Sequence, residues 1–230
     1  MTTFDVEALE NLYASVSAGD GIDIGDLQAG LTQLFSLERS TEDVRDYRLS
    51  RGIWKKLADE ISPVSRFLHW RRIDSGRVRF PLDDQPPDCW LTPGNGGNPI
   101  GIEVTIAQAR ERFHLAKELV RLFWSRGFIG LPDDAPQEEF DRAMSANPTM
   151  YSTEQAVSAI GGGILRCLRR KNRLAFTDFT VLIQAPLSSL PEERWKLLVD
   201  EILAGGTRYA FKSAFVIGNA DEAPNGFQIF

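Results

Sequence analysis

The sequence predicts a three-layer α/β fold, a mixed β-sheet covered by helices, with an N-terminal helical segment ahead of it. Three observations carry this. Apolar residues recur at spacings of three and four through the first fifty positions, as in Leu9, Leu12 and Tyr13 and again in Leu27, Leu31, Leu34 and Phe35. From about residue 52, helical patterns alternate with short apolar runs. Three of those runs, "IGIEVT", "FTVLIQAPL" and "FKSAFVIGN", have the length and β-branched content of strands. The chain of 230 residues is 43% hydrophobic and 25% charged, which is enough to bury a sizeable core. It divides into an N-terminal helical segment, 1–50, and an α/β domain, 51–230.

Each element has a local reason. "GDGIDIGD" breaks the first helix and can cap the second. "SLERSTEDVRDYRLSRGIWKKLADEI" continues as a longer helical stretch that Pro63 limits or restarts. "DSGRVRFPL" and "DCWLT" read as strands. "IGIEVT" alternates, with Ile100, Ile102 and Val104 on one face and Gly101, Glu103 and Thr105 on the other. A long helix is expected from about Ile106 to Arg126, with Phe113, Ala116, Val120 and Phe123 as its buried stripe. Ser152, Thr153 and Glu154 open a further helix, and its last turn is basic, which suits the helix dipole. "PEERWKLLVDEILAGG" has Pro191 at its start and glycines at its end.

Several function classes are disfavoured. No apolar run approaches the ~18 residues of a membrane span, and the first residues lack a basic stretch followed by an apolar core. Cys89 and Cys167 make neither a disulfide framework nor a cysteine-rich zinc site. A cytoplasmic setting is expected. His69 and His114 form no zinc motif. "GNGGNPIG" lacks the Gly-Lys-Ser/Thr ending of a phosphate loop. "GDGIDIGDLQAGL" lacks the acids a calcium loop needs at its first ligand positions. The net charge of −6 argues against passive coating of nucleic acid, while leaving room for a local basic groove.

One stretch asks for chemistry. In "PPDCWLTPGNGGNPIGIEVTIAQ" a glycine-rich loop separates Asp88 from Glu103. With the tip near Asn95 and Gly96, the two acids are equidistant from it, and a symmetric hairpin sets them opposite each other with Cβ atoms roughly 5 Å apart. Like charges so placed destabilise a sheet unless something compensates, and a divalent cation would. A solvated acid on a half-exposed strand is the plain alternative.

The wider pattern resembles the PD-(D/E)xK superfamily, the restriction-endonuclease-like fold. The matching residues are Pro87-Asp88, a variable hairpin, then Glu103-Val104-Thr105 preceded by "IGI" and followed by a helix. The resemblance spans roughly residues 52 to 230 and implies a nuclease, expected to be a DNA endonuclease. It implies Mg²⁺ or Mn²⁺ held by Asp88 and Glu103, with Glu60 of the upstream helix as a third metal residue. Thr105 stands where the family pattern usually has Lys. Gln108, Arg110, Arg112, Lys117 and Lys171 are candidates for that missing function, and Thr105 or Gln108 could orient the attacking water. Arg71, Arg72, Arg169, Arg170 and Lys171 are the expected phosphate-backbone contacts. A homodimer or a protein partner is a further expectation, and no membrane is. The substituted Lys also admits an inactive protein of this fold that serves as a nucleic-acid- or protein-binding module.

Overall fold

A computed structural model describes residues 6–204, 208–219 and 225–230. Seven strands form one sheet in chain order: β1 (Ile22–Asp23), β2 (Gly76–Arg79), β3 (Cys89–Pro93), β4 (Ile100–Ile106), β5 (Thr180–Gln184), β6 (Ser213–Ile217) and β7 (Gly226–Gln228). The first four run antiparallel as a meander, β4, β5 and β6 are parallel, and β7 returns antiparallel. This is the mixed sheet of a three-layer α/β fold.

The helices cover both faces. The alternation within β5 separates the two cores: Leu182 belongs to one, Val181 and Ile183 to the other. On the first face lie α1 (Val6–Ser17), α2 (Ile24–Ser36) and α5 (Ser62–Trp70), packed on Val78, Ile102 and Val104. On the second lie α8 (Thr153–Lys171) and α9 (Trp195–Ala204), packed on Ala214 and Val216. The remaining helices are α3 (Thr41–Arg48), α4 (Trp54–Lys56), α6 (Ala109–Leu122) and α7 (Gln137–Ser145). Ser152 and Gln155 cap the start of α8 reciprocally, each side chain serving the other's backbone N–H.

Four details depart from the sequence expectation. The segment 1–50 is not wholly helical: Ile22 and Asp23 extend the sheet opposite Val78 and Arg77, and α1 and α2 share one hydrophobic cluster with the strands. Gly21 permits this approach. It has φ +80°, and a Cβ there would lie 2.1 Å from the Val78 carbonyl oxygen.

The long helical stretch before Pro63 breaks at Ser50 and Gly52, both at positive φ. It then runs through a π-turn, Leu57–Ile61, into α5. The Ser62 N–H donates five residues back to Leu57 O. That wide turn carries the chain past Pro63, which has no N–H to donate, and π-turns of this kind recur at functional sites.

Strand β4 is not half-exposed. Residues 101–105 are all buried, because β4 sits between β3 and β5 with helices on both faces. Glu103 is 6% exposed, which excludes the solvated-acid reading.

The expected apolar stripe of α6 is only partly covered: Ala116 and Val120 are half-buried, while Phe113 is 38% and Phe123 85% exposed. The side chains that α6 buries are Glu111 and Glu118. Both grip the chain that follows the helix. Glu111 accepts from the Ile129 and Gly130 N–H groups at 3.0 and 2.7 Å. Glu118 pairs with Arg126 at 2.8 Å.

Candidate active site

The hairpin register brings the two acids together. Cys89 pairs with Ile102 in the β3–β4 ladder, so the next opposed pair is Asp88 and Glu103. Asp88 Oδ2 accepts a 2.8 Å hydrogen bond from the Val104 N–H across the strands. The consequence for Asp88 is electrostatic. Burial, then the Glu103 charge, raise its carboxyl from the usual 3.8 to about 7, against a smaller lowering by the Val104 N–H.

Glu60 arrives from the π-turn. Burial raises its pKa, and Lys56, 2.8 Å from Oε1, pulls it back. The last turn of α8 supplies the cations. Lys171 Nζ donates to Glu103 Oε1, and the Arg170 guanidinium donates to Thr105 Oγ1. Thr105 in turn lies 3.6 Å from the Cys167 sulfur, within the same helix–strand contact. The carboxyl-terminal placement of Arg169, Arg170 and Lys171 on α8 is favoured by the helix dipole. The side chains of Lys55, Asp59, Glu60, Asp88, Glu103 and Lys171 line a cavity of about 270 Å³, with Thr105 and Arg170 on its wall.

Several expected residues lie elsewhere. Gln108 is 1% exposed and left-handed at φ 56°. Its Nε2 donates to Glu111 Oε2 at 3.2 Å, and it lines a different cavity, so it does not share the carboxylate site. The left-handed turn at the end of β4 directs it away. Arg71 is exposed and stacks over Trp70 and Phe215, at 5.5 and 5.3 Å from the ring centres. Arg72 is exposed at φ 53° beside it, and neither lines the carboxylate cavity. Arg169 is exposed on the same helix end as Lys171.

Among the candidates for the missing Lys, Arg110 is held by the carbonyl of Asp133 at 3.0 Å and by Gln137 at 2.8 Å. Arg112 pairs with Asp59 at 3.2 Å, and Lys117 is exposed beside a separate cavity. Lys171 reaches Glu103. Asp133 caps α6 through the Ala109 and Arg110 N–H groups, at 3.1 and 3.0 Å. His114 stacks on Phe140 at 4.9 Å, a packing role.

Lys55, Lys56 and Asp59 are site residues that the sequence reading passed over. The signal was present in "WKKLADE", where two lysines and two acids fall within one turn and a half of the Glu60 helix.

The donor set suits a hard divalent cation, because every candidate ligand is a carboxylate oxygen. Glu60 Oε2 and Glu103 Oε2 are both buried with no hydrogen-bond partner among the described residues. Among those residues, no three His, Cys, Asp or Glu side chains are gathered closely enough to enclose an ion. Each carboxylate is held on one oxygen by a lysine or a backbone N–H, which leaves Glu60 Oε2 and Glu103 Oε2 as the oxygens an ion would use.

Compared with protein-family models, with curated proteins and with solved structures, the chain matches none of them. Among the described residues no helix is long and apolar enough to cross a membrane.

Proposed function

We propose that this protein is a metal-dependent nuclease that hydrolyses phosphodiester bonds in nucleic acid, with DNA as its substrate. The observation that carries this reading is the opposed pair of half-buried Asp88 and buried Glu103, with Lys171 delivered to Glu103 from α8. Like charges set opposite each other, with the Asp88 carboxyl raised, cost stability, and such groups are concentrated where chemistry needs them. The order of elements around the pair, and the acid on the preceding helix, support the resemblance to the PD-(D/E)xK superfamily.

Asp88, Glu103 and Glu60 would hold Mg²⁺ or Mn²⁺. When bound, such an ion lowers the pKa of water and neutralises charge developing on the scissile phosphate. The residues of the chain have separate tasks. Asp88 must lose its proton to serve as a ligand, so activity rises as pH passes about 7. Lys171, released from Glu103, is placed to donate to the water or to a phosphate oxygen, the function that the family pattern assigns to the residue at position 105. Arg170 holds Thr105 and keeps a second positive charge at the mouth of the cavity. Lys55 lines the same cavity and Arg169 is exposed on the same end of α8, and these cations would offer the local phosphate attraction that the acidic net charge of −6 does not.

One observation favours a second reading, an inactive protein of this fold that binds nucleic acid or a protein partner: Lys171 already pairs with one oxygen of Glu103, so part of the charge is offset without an ion. Incubation of plasmid, linear and single-stranded DNA, and RNA, with Mg²⁺, Mn²⁺ or EDTA separates the two. Metal-dependent cutting that disappears in Glu103→Ala supports the nuclease. Absence of cutting together with absence of metal binding supports the second reading.

A further inference from the structure

We infer that the uncovered sheet face over β2 and β3, beside the carboxylate site, seats a single strand of DNA, with Trp90 against its bases and Arg79 on its backbone. The choice of DNA rests on the nuclease reading above; the surface rests on its own geometry. The sheet is covered on both faces only from β4 onward. The second core takes Val181 and Ile183 from β5 and Ala214 and Val216 from β6, and no residue from β2 or β3. Burial alternates along those two strands. Val78, Cys89 and Leu91 are buried in the first core, while Arg77, Arg79, Trp90 and Thr92 are half-buried on the other face. An antiparallel sheet with one face turned to solvent has this pattern.

The register ties this face to the carboxylates. Arg79 pairs with Trp90, and Trp90 with Gly101, so the three share one face, and Glu103 follows Gly101 by two residues on β4. Two residues span ~7 Å along a strand. A DNA strand with its scissile phosphate at the carboxylates therefore brings a neighbouring nucleotide over Trp90. An aromatic row borders the same path. A Cβ on Gly101 would meet the Phe179 ring at 2.6 Å, Trp90 meets Phe179 edge-on at 5.9 Å, and Phe179 meets Phe176 at 6.5 Å. Lys171 Nζ lies 4.9 Å from the centre of the Phe176 ring. Half-buried rings thus run from β3 to the lysine that pairs with Glu103.

Two accessible donors on this face have no partner. Arg77 is engaged, donating to Asp23 Oδ2 at 3.0 Å and to Gly21 O at 2.6 Å. Arg79 makes no ion pair and no side-chain hydrogen bond among the described residues, and of its guanidinium nitrogens only Nε is buried. The Trp90 indole N–H is likewise accessible and has no acceptor among those residues. The edge-on contact with Phe179 occupies at most one face of the indole. Donors and ring faces together suit a ligand of acceptors and flat surfaces. A nucleic-acid strand supplies both, phosphate oxygens for Arg79 and bases for the rings. In a duplex the bases stack on one another and are closed to a side-chain ring, so the occupant is single-stranded.

The test uses the full chain in EDTA, which separates binding from cutting. Fluorescence anisotropy follows labelled oligo(dT) and a blunt duplex of equal length over a range of salt. Oligo(dT) should bind at least about tenfold more tightly than the duplex. Trp90→Leu should weaken oligo(dT) binding at least about fivefold, and Trp90→Phe should restore most of it. Arg79→Met should lower the slope of log K against log salt by about 0.7, the release expected for one phosphate contact on a single strand. Arg77→Met should keep the parent slope. Melting temperatures check each fold, and Arg79→Met, which breaks no internal bond, decides the matter if Trp90→Leu does not fold. Duplex binding equal to or tighter than oligo(dT) binding, a folded Trp90→Leu that binds as the parent does, or a slope unchanged in Arg79→Met or lowered equally in Arg77→Met overturns the seat. Strand binding through Trp90 and Arg79 without metal-dependent cutting would sink the nuclease reading alone. Metal-dependent cutting with the duplex bound in preference would sink the strand seat alone.

Discussion

Replacing Asp88 by Asn should stabilise the metal-free protein at high pH. The burial of Asp88 and the neighbouring Glu103 lift its carboxyl from 3.8 to about 7. A raised acid pKa means that the unfolded chain gives up this proton first, so stability falls as pH rises from about 4 to about 7 and stays low above it. Three units correspond to an upper bound of about 4 kcal/mol. Asp88 is only half-buried, and solvent screening reduces the figure to ~2 kcal/mol. Asn keeps an oxygen for the 2.8 Å hydrogen bond from Val104 and loses the charge. At ~2–4 °C per kcal/mol for a chain of this size, the variant should melt ~4–8 °C higher at pH 8. The gap should close toward pH 4. The assay is thermal unfolding of both proteins across pH 4–8 in EDTA, which removes ions that would mask the repulsion. A variant that melts lower at pH 8, or a gap independent of pH, would refute the electrostatic account of the hairpin.

Divalent-ion affinity, measured by calorimetry, should strengthen up to about tenfold per pH unit below 7 and level off above it, because the ion must displace the Asp88 proton. Glu118→Ala should cost about 1–3 kcal/mol in denaturant unfolding, since Arg126 loses its carboxylate partner and keeps only the carbonyls of Ala143, Met144 and Ala146. Gly21→Ala should destabilise the protein by at least ~1 kcal/mol, because a Cβ there meets the Val78 carbonyl at 2.1 Å and the backbone is left-handed. A melting temperature unchanged by Gly21→Ala would place β1 off the sheet.

Much of the site was legible because a hairpin obeys a simple count. Positions equidistant from a tip face each other, and the β3–β4 ladder keeps that symmetry from Cys89 and Ile102 to Asp88 and Glu103. The basic end of α8 was visible as composition. Its meeting with Glu103 was not, because 68 residues separate Lys171 from Glu103 and only the packing of α8 on β4 and β5 joins them. Gln108 was misjudged for a related reason: closeness in sequence says little once a left-handed residue turns the chain. The face of α6 misled because its fully buried groups are acids that bind backbone N–H groups, so hydrophobic periodicity marked a face that is at most half-buried. The two-residue strand at Ile22 was too short for any period-two signal, and its place is set by the close approach at Gly21.

The central claim is that an active site has been assembled with its lysine on α8 instead of on β4. The most direct measurement is single-turnover cleavage of labelled DNA in Mg²⁺ or Mn²⁺ by the parent protein, Lys171→Met and Glu103→Ala. The account predicts metal-dependent cutting by the parent, a loss of ~10²–10⁴-fold in Lys171→Met with its fold intact, and no cutting by Glu103→Ala. Parent-level cutting by Lys171→Met, or no metal-dependent cutting of DNA by the parent, would contradict it.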